Sequence, residues 1–240
     1  MNTNIFADKI NASTNKRDLN IIAAFFDVDN TLINIKSMFS FMDYLEKECP
    51  LLTVQVKTHK IKMRELFGNN VARENINKFY YTFFQGMDVD EVACLGVGWY
   101  ERVSLSDDFY IKETVSRLES HLRKSEIVVF VSGSFSALLD PIAKELSVKE
   151  IISTELEVVN NRYTGKIIGE TTIGEGKYIK MLGYSSNKKI DLDSSYAYAD
   201  DISDIQMLSV VGFPRIINPD SAVLDQISKH IRNGIEFLVI

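Results

Sequence analysis

An α/β fold with a parallel sheet and a large helical insertion follows from three observations. Uninterrupted apolar runs, Ile21-Ile22-Ala23-Ala24-Phe25-Phe26 and Ile127-Val128-Val129-Phe130-Val131 among them, alternate with helix-like periodicities. That grammar belongs to buried parallel strands joined by crossover helices. One hundred residues separate those two runs, far more than one crossover needs. Finally, a carboxylate or hydroxyl comes directly after three of the apolar runs.

The elements can be justified in order. Residues 1–19 are polar, rich in Asn, Ser, Thr and Lys, and are expected to form a leader outside the core. The run 21–26 is too short for a helix and is bounded by polar residues, so it is expected to be a buried strand. Helical patterns follow around 37–48, 53–67, 73–85 and 89–102. Residues 35–104 are therefore expected to be a helical cap over the sheet, leaving 20–34 and 105–240 as the core. The run 127–131 is a second strand, with a helical pattern at 134–146. Asn160-Asn161 separates two short extended segments, 156–159 and 162–168, and predicts a hairpin. Ser195-Tyr196-Ala197-Tyr198-Ala199 and Pro214-Arg215-Ile216-Ile217 complete the strands, with a helical pattern at 201–211 between them.

Composition excludes several function classes. Apolar residues make up 45% and charged residues 25% of 240, with a net charge of −6, ordinary for a globular protein. The acidic balance argues against a nucleic-acid binder. Only Cys49 and Cys94 occur, too few for a disulfide framework or a cysteine zinc site. His59, His121 and His230 are far apart and form no metal-binding pair. The N-terminus lacks the basic start and apolar stretch of a secretory signal, and no run of 18 apolar residues could span a membrane. A soluble, cytoplasmic protein is expected, with the sequon at Asn11 unmodified and no oligomeric state specified.

The residues just beyond the strands carry the chemistry. The first strand runs into Asp27-Val28-Asp29-Asn30-Thr31, the second into Ser132-Gly133-Ser134, and the 195–199 run into Asp200-Asp201-Ile202-Ser203-Asp204. In an open parallel sheet, ligands bind beyond the carboxyl ends of the strands, so three strands deliver these groups to one edge. Five aspartates there (Asp27, Asp29, Asp200, Asp201, Asp204) would repel one another unless a cation relieved them. Oxygen ligands without nearby His or Cys suit Mg²⁺, and such a site suits phosphoryl transfer.

Four pieces in order, Asp-x-Asp-x-Thr at 27–31, Ser132, Lys177 within Gly174-Glu175-Gly176-Lys177, and Asp200-x-x-x-Asp204, resemble the haloacid dehalogenase superfamily, in its phosphoserine-phosphatase-like branch. The resemblance covers roughly residues 20–220 and implies a Rossmann-like core with a helical cap. It implies a Mg²⁺-dependent phosphomonoester phosphatase acting on a small phosphorylated metabolite. In that mechanism Asp27 attacks phosphorus to form an aspartyl-phosphate, and Asp29 serves as general acid, then base. Thr31 would brace the loop, while Ser132, the Gly133 N–H and Lys177 would hold the phosphate. Mg²⁺ would sit on Asp27, the Asp29 carbonyl and Asp200, with Asp204 either a ligand through water or an anchor for Lys177. Transfer to another acceptor by the same covalent step, and a non-catalytic phosphate-binding relative, are the alternatives.

Two positions depart from the family pattern. Ala199-Asp200-Asp201 stands where Gly-Asp-Ser or Gly-Asp-Gly is usual, which bears on metal affinity. Lys36 stands where phosphoserine phosphatases carry an acidic residue for the substrate amine, which favours a substrate with a second anionic group.

Simpler roles are weighed for several residues. Asp201 is expected to be a first-turn helix carboxylate, and Ser132 or Ser134 would be an N-cap on local grounds alone. The aromatic residues of 35–104 are expected to form the bundle's own core, the alternative being an apolar substrate pocket. The basic run 57–64 is expected to be a solvated helix face.

Overall fold

The computed structural model describes residues 20–219 and 234–239. The polar leader 1–19, the sequon at Asn11 and His230 lie outside the described residues. In chain order the elements are β1 (Ala23–Phe26), α1 (Ser37–Glu48), α2 (Thr53–Gly68), α3 (Arg73–Tyr81), α4 (Val89–Val103) and α5 (Lys112–Arg123). Then come β2 (Ile127–Val131), α6 (Ser136–Glu145), β3 (Glu150–Ile152), β4 (Glu155–Val159), β5 (Arg162–Ile168) and α7 (Glu175–Lys188). The chain closes with β6 (Tyr196–Ala199), α8 (Ile205–Ser209), β7 (Phe213–Ile217) and β8 (Glu236–Leu238).

Six strands form one sheet in the order β3-β2-β1-β6-β7-β8, and every neighbouring pair is parallel. The core is thus the parallel α/β sheet expected from the apolar runs, and Rossmann-like as the resemblance implies. β1 lies between β2 and β6. The chain builds outward from β1 to one side through β2 and β3, then returns to the other side through β6. A crevice opens at such a reversal, beyond the carboxyl ends of the strands.

Strand periodicity divides the core into two layers. Ala24 and Phe26 face one cluster, which includes Val128, Phe130 and Tyr198. Ala23 and Phe25 face the other, with Val129, Val131, Ala197 and Ala199. Phe26 and Tyr198 stack with ring centroids 4.2 Å apart, on adjacent strands. The small residues Ala197 and Ala199 give β6 a flat opposite face, against which Met181 of α7 and Met207 of α8 pack.

Helices α1–α4 lie between β1 and β2, as the long separation of those runs implied. Asp88 begins α4 by accepting the N–H groups of Asp90 and Glu91, a cap that satisfies donors a helix start otherwise leaves free. The aromatic residues of this insertion largely fill its interior: Phe41, Tyr80, Tyr81, Phe84 and Trp99 are fully buried. Each such ring stabilises the fold by roughly 1.5–3 kcal/mol. The insertion is seated on α6 through Gly96, where a Cβ would lie 1.9 Å from the Ala137 carbonyl oxygen.

Other expectations are met, some of them with adjustment. The first strand starts at Ala23, two residues late, because Ile21 makes only an isolated bridge to Ile190. The pattern at 201–211 divides into a 3-10 turn, Ile202–Asp204, and α8. Asn160 and Asn161 both adopt positive φ, joining antiparallel β4 and β5 through the left-handed turn that suits a hairpin. In the basic run, Lys57, Lys62 and Arg64 are exposed, whereas Lys60 pairs with Asp43 and Glu46. His59 stacks on Phe79 with centroids 4.4 Å apart. Among the described residues, no helix is long and apolar enough to cross a membrane.

Candidate active site

Asp27 is the first residue beyond β1, and its N–H donates to the Tyr198 carbonyl at 2.9 Å. The adjacent strand therefore fixes its position. The chain then turns tightly: Thr31, Leu32 and Ile33 all donate their N–H groups to the Val28 carbonyl. Asn30 takes a positive φ of 60°, a conformation asparagine tolerates better than most residues. This turn brings Asp29 and Thr31 back beside Asp27.

Lys177 approaches from α7. Gly174 precedes that helix with φ 53°, so the chain enters at an angle an L side chain would strain. A Cβ at Gly176 would sit 1.9 Å from the Thr171 carbonyl oxygen, so this glycine lets the helix start close to the preceding loop. Lys177 Nζ donates to Asp27 Oδ1 at 2.5 Å and to Asp204 Oδ2 at 2.7 Å. All three side chains are buried. Burial opposes the Lys177 charge, but Asp204 and Asp27 outweigh it and hold the ammonium above its ordinary range.

The carboxylates outnumber that one cation. Burial raises Asp204 to about 7, with Lys177 opposing and Asp27 adding repulsion. Asp200 is raised to about 6, by burial first and then by Asp27. Thr31 Oγ1 lies 3.3 Å from both Asp27 Oδ2 and Asp200 Oδ1, so one hydroxyl sits between two carboxylates. Asp29 accepts the Ser37 N–H at 2.9 Å on Oδ2, while its buried Oδ1 has no partner. Burial and then Asp27 raise it to about 7. A carboxyl balanced near neutrality can give or take a proton.

The loop after β2 closes the other side. Ser132 is buried, and its Oγ accepts the Ser134 N–H at 3.2 Å. The Gly133 carbonyl accepts three side chains: Tyr81 Oη at 2.7 Å, Asn77 Nδ2 at 3.0 Å and Thr154 Oγ1 at 3.1 Å. Two of these donors belong to α3, so the insertion clamps this loop directly. Sequence reasoning missed them, although Asn77 and Tyr81 stand four apart on the inward face of α3 and a polar Asn among buried aromatics was a visible signal. Local capping by Ser132 or Ser134 is not observed: α6 begins at Ser136, with Phe135 at the N-cap and no side-chain cap bond.

Asp201 also borders the cavity and adds repulsion at Asp200, but its own partners are different. Its side chain accepts the Ser203 N–H and begins the 3-10 turn, much as expected of a first-turn carboxylate. It also accepts Arg73 Nη1 at 2.8 Å, tying α3 to the loop after β6. Burial works against its charge, but Ser203 and Arg73 hold it below the usual range. The charge added by Asp201 is thus matched locally, and Ala199 is fully buried within β6.

Together these groups line a cavity of about 300 Å³. Asp27, Asp29, Ser132, Gly133, Lys177, Asp200 and Asp204 all border it; Thr31 lies just behind. Among the described residues, no three His, Cys, Asp or Glu side chains converge as a ready metal cage. The donors at hand are the two carboxylates bridged by Thr31, with backbone carbonyls. This oxygen-only set, poor in compensating charge, fits a hard cation that retains water ligands.

Comparison with known proteins shows the family and the fold. The family model for haloacid dehalogenase-like hydrolases matches residues 24–209. A phosphoserine phosphatase of Mycobacterium tuberculosis is 28% identical over 213 residues, covering 83% of this chain and 65% of that protein. The chain thus spans just under two thirds of that relative. A histidinol-phosphatase of Neisseria meningitidis is 26% identical over 208 residues, covering 82% of this chain and 90% of that protein. Among solved structures, a Bordetella pertussis protein of unknown function superposes with a TM-score of 0.78 at 22% identity, covering 90% of this chain and 98% of that one. A substrate-bound phosphoserine phosphatase gives 0.62 at 16% identity, covering 90% and 92%. At these identities the structures share the fold.

Proposed function

The chain belongs to the haloacid dehalogenase-like hydrolase family, and from that premise we propose that it is a Mg²⁺-dependent phosphatase of small phosphomonoesters, with Asp27 as nucleophile. The observation that carries this reading is the position of Asp27. It is buried at a strand end, held by Lys177 at 2.5 Å and Thr31 at 3.3 Å, with a carboxyl near neutral pKa two residues away. Relatives named for hydrolysis of phosphoserine and histidinol phosphate support the reaction class. Two free cysteines, Cys49 and Cys94, suit a reducing cytoplasm.

In the proposed sequence, an Asp27 oxygen attacks phosphorus while the bond to the ester oxygen breaks. Asp29 gives its proton to the departing oxygen, completing the alcohol. A water then attacks the phosphorus carried on Asp27, with Asp29 taking its proton. The acyl–phosphate bond breaks, returning free Asp27 and inorganic phosphate. Lys177 offsets the charge of Asp27 and the transferring phosphoryl group. Ser132 and the Gly133 N–H hold its oxygens, in a loop fixed by Asn77, Tyr81 and Thr154. Bound Mg²⁺ would supply charge neutralisation at the phosphoryl oxygens. Asp27, Asp200 and the Asp29 carbonyl would hold it. We assign Asp204 as the anchor of Lys177, because its carboxylate is already committed to that ammonium.

We propose further that residues 35–104 act as the cap over this site, since α3 reaches both the Gly133 carbonyl and Asp201. The test is phosphate release from phenyl phosphate. The full chain with Mg²⁺ should hydrolyse it, EDTA should stop the reaction and added Mg²⁺ restore it. Activity unaffected by Asp27→Asn would overturn the proposal.

A further inference from the structure

The part of the cavity supplied by the insertion differs from the part supplied by the strand ends. Met38, Phe39, Met63, Phe67, Ile76 and Tyr80 give it a broad apolar surface. Phe41, Tyr80, Tyr81, Phe84 and Trp99 of the insertion are fully buried, yet Phe39 and Phe67 remain 41% and 45% exposed. Their ring centroids are 5.8 Å apart. One ring comes from α1 and the other from α2, so two helices present a joined, wet apolar face toward the cavity. Such a face gains most from a ligand that covers it.

The cationic groups of the cavity sort by what they already bind. Lys177 is shared by Asp27 and Asp204. Arg73 is taken by Asp201 and Ser203. Lys36, at the start of α1, is exposed and forms no ion pair among the described residues. It lines the cavity together with Asp27, Asp29 and Asp200, and its charge is felt at Asp29 and Asp200. Asp29 and Asp200 could draw an ammonium, but the proposed mechanism commits one to proton transfer and the other to the cation. The charge left for the substrate's organic part to answer is therefore positive.

From these two observations, and resting on the phosphatase reading above, we infer that the site selects phosphomonoesters whose organic part is apolar and carries a negative charge. Phe39 and Phe67 receive the apolar body, and Lys36 pairs with the anionic group. An ammonium in the same place meets Lys36 as a like charge, so specificity has a repulsive as well as an attractive component.

Three aryl esters with similar phenolate leaving groups test this: phenyl phosphate, 4-(carboxymethyl)phenyl phosphate and 4-(aminomethyl)phenyl phosphate, each with the full chain and Mg²⁺. The carboxymethyl ester should exceed the aminomethyl ester in kcat/KM by about tenfold, as expected when a partly screened attraction to Lys36 is set against a like-charge repulsion. Lys36→Met should flatten that ranking and Lys36→Glu should reverse it. Phe39→Ala with Phe67→Ala should lower kcat/KM for phenyl phosphate about tenfold more than for glycerol phosphate, which offers little apolar surface. A wild-type ranking that is flat or reversed, while phenyl phosphate is still hydrolysed, overturns the inference and leaves the phosphatase reading standing. Absence of hydrolysis on every ester overturns both.

Discussion

Lys177 Nζ lies 2.5 Å from Asp27 Oδ1, joining residues 150 positions apart in a fully buried contact. The same ammonium lies 2.7 Å from Asp204. One cation thus holds two carboxylates from two strand ends, and a third, Asp200, stands across Thr31. Much of the site's behaviour stems from this imbalance.

Loss of Lys177 would leave Asp27 and Asp204 buried without a counter-charge. Lys177→Met should destabilise the protein by about 3–5 kcal/mol at pH 8, as expected when one partner of a buried pair is removed. Urea denaturation measures it. The double variant Lys177→Met with Asp204→Leu should recover part of the loss, because one of the stranded charges goes too.

The raised carboxyls make stability depend on pH in a definite direction. Asp29 and Asp204 stand near 7 and Asp200 near 6, all above the ordinary 3.8. A carboxyl whose folded pKa is raised is cheapest to bury when protonated. Its contribution is present at low pH and lost as pH rises through 6 and 7. The metal-free protein should therefore melt higher at pH 5.5 than at pH 8. Saturating Mg²⁺ should narrow the gap by raising the pH 8 value. Equal melting temperatures across that window in EDTA would contradict the assigned burial.

Asp29→Asn should separate the two proton transfers. With an alkyl phosphate, turnover should fall by about 10²–10⁴-fold. With 2,4-dinitrophenyl phosphate, whose leaving group needs no proton, a burst of phenolate should survive while phosphate release stays slow. Stopped-flow absorbance distinguishes the two, and an absent burst would remove Asp29 from the second step.

The three donors on the Gly133 carbonyl predict a split between binding and chemistry. Tyr81→Phe removes the 2.7 Å bond and should cost about 1 kcal/mol of stability. If the clamp positions the phosphate loop, KM for phenyl phosphate and the inhibition constant for inorganic phosphate should rise together, with kcat less affected.

Two glycines in helices should behave oppositely. At Gly96 a Cβ meets the Ala137 carbonyl oxygen at 1.9 Å, so Gly96→Val should force α4 from α6 and cost upward of about 2 kcal/mol. At Gly183, in α7, nothing lies within 4 Å, and Gly183→Ala should add roughly 0.5–1 kcal/mol through helix propensity. Thermal melts of both variants check the contrast.

The central strands were legible in the sequence because burial on both faces imposes unbroken apolar runs, as in Ile127–Val131. The insertion helices were legible because each buries one stripe. Two elements that escaped are too short for such a signature: β3 is three residues long and β8 is an edge strand of three. α5 was passed over although it buries a stripe of Thr114, Leu118 and His121. At the strand ends, position in sequence was enough to gather Asp27, Asp29, Ser132 and Asp200 at one edge. The grip of α3 on Gly133 and Asp201 was only partly legible: Asn77 and Tyr81 share one helix face, but which groups they meet depends on how the insertion returns to the core. Nor could one sequence show that Phe39 and Phe67 stay exposed while Phe41 and Phe84 are buried.

The most direct measurement is mass spectrometry of acid-quenched protein after mixing with 2,4-dinitrophenyl phosphate and Mg²⁺. A phosphoryl adduct should appear on the peptide carrying Asp27, accumulate in Asp29→Asn, and be absent from Asp27→Asn. Phosphate release from Asp27→Asn at the wild-type rate, with no adduct on that peptide in any variant, would contradict the assignment of Asp27 as nucleophile.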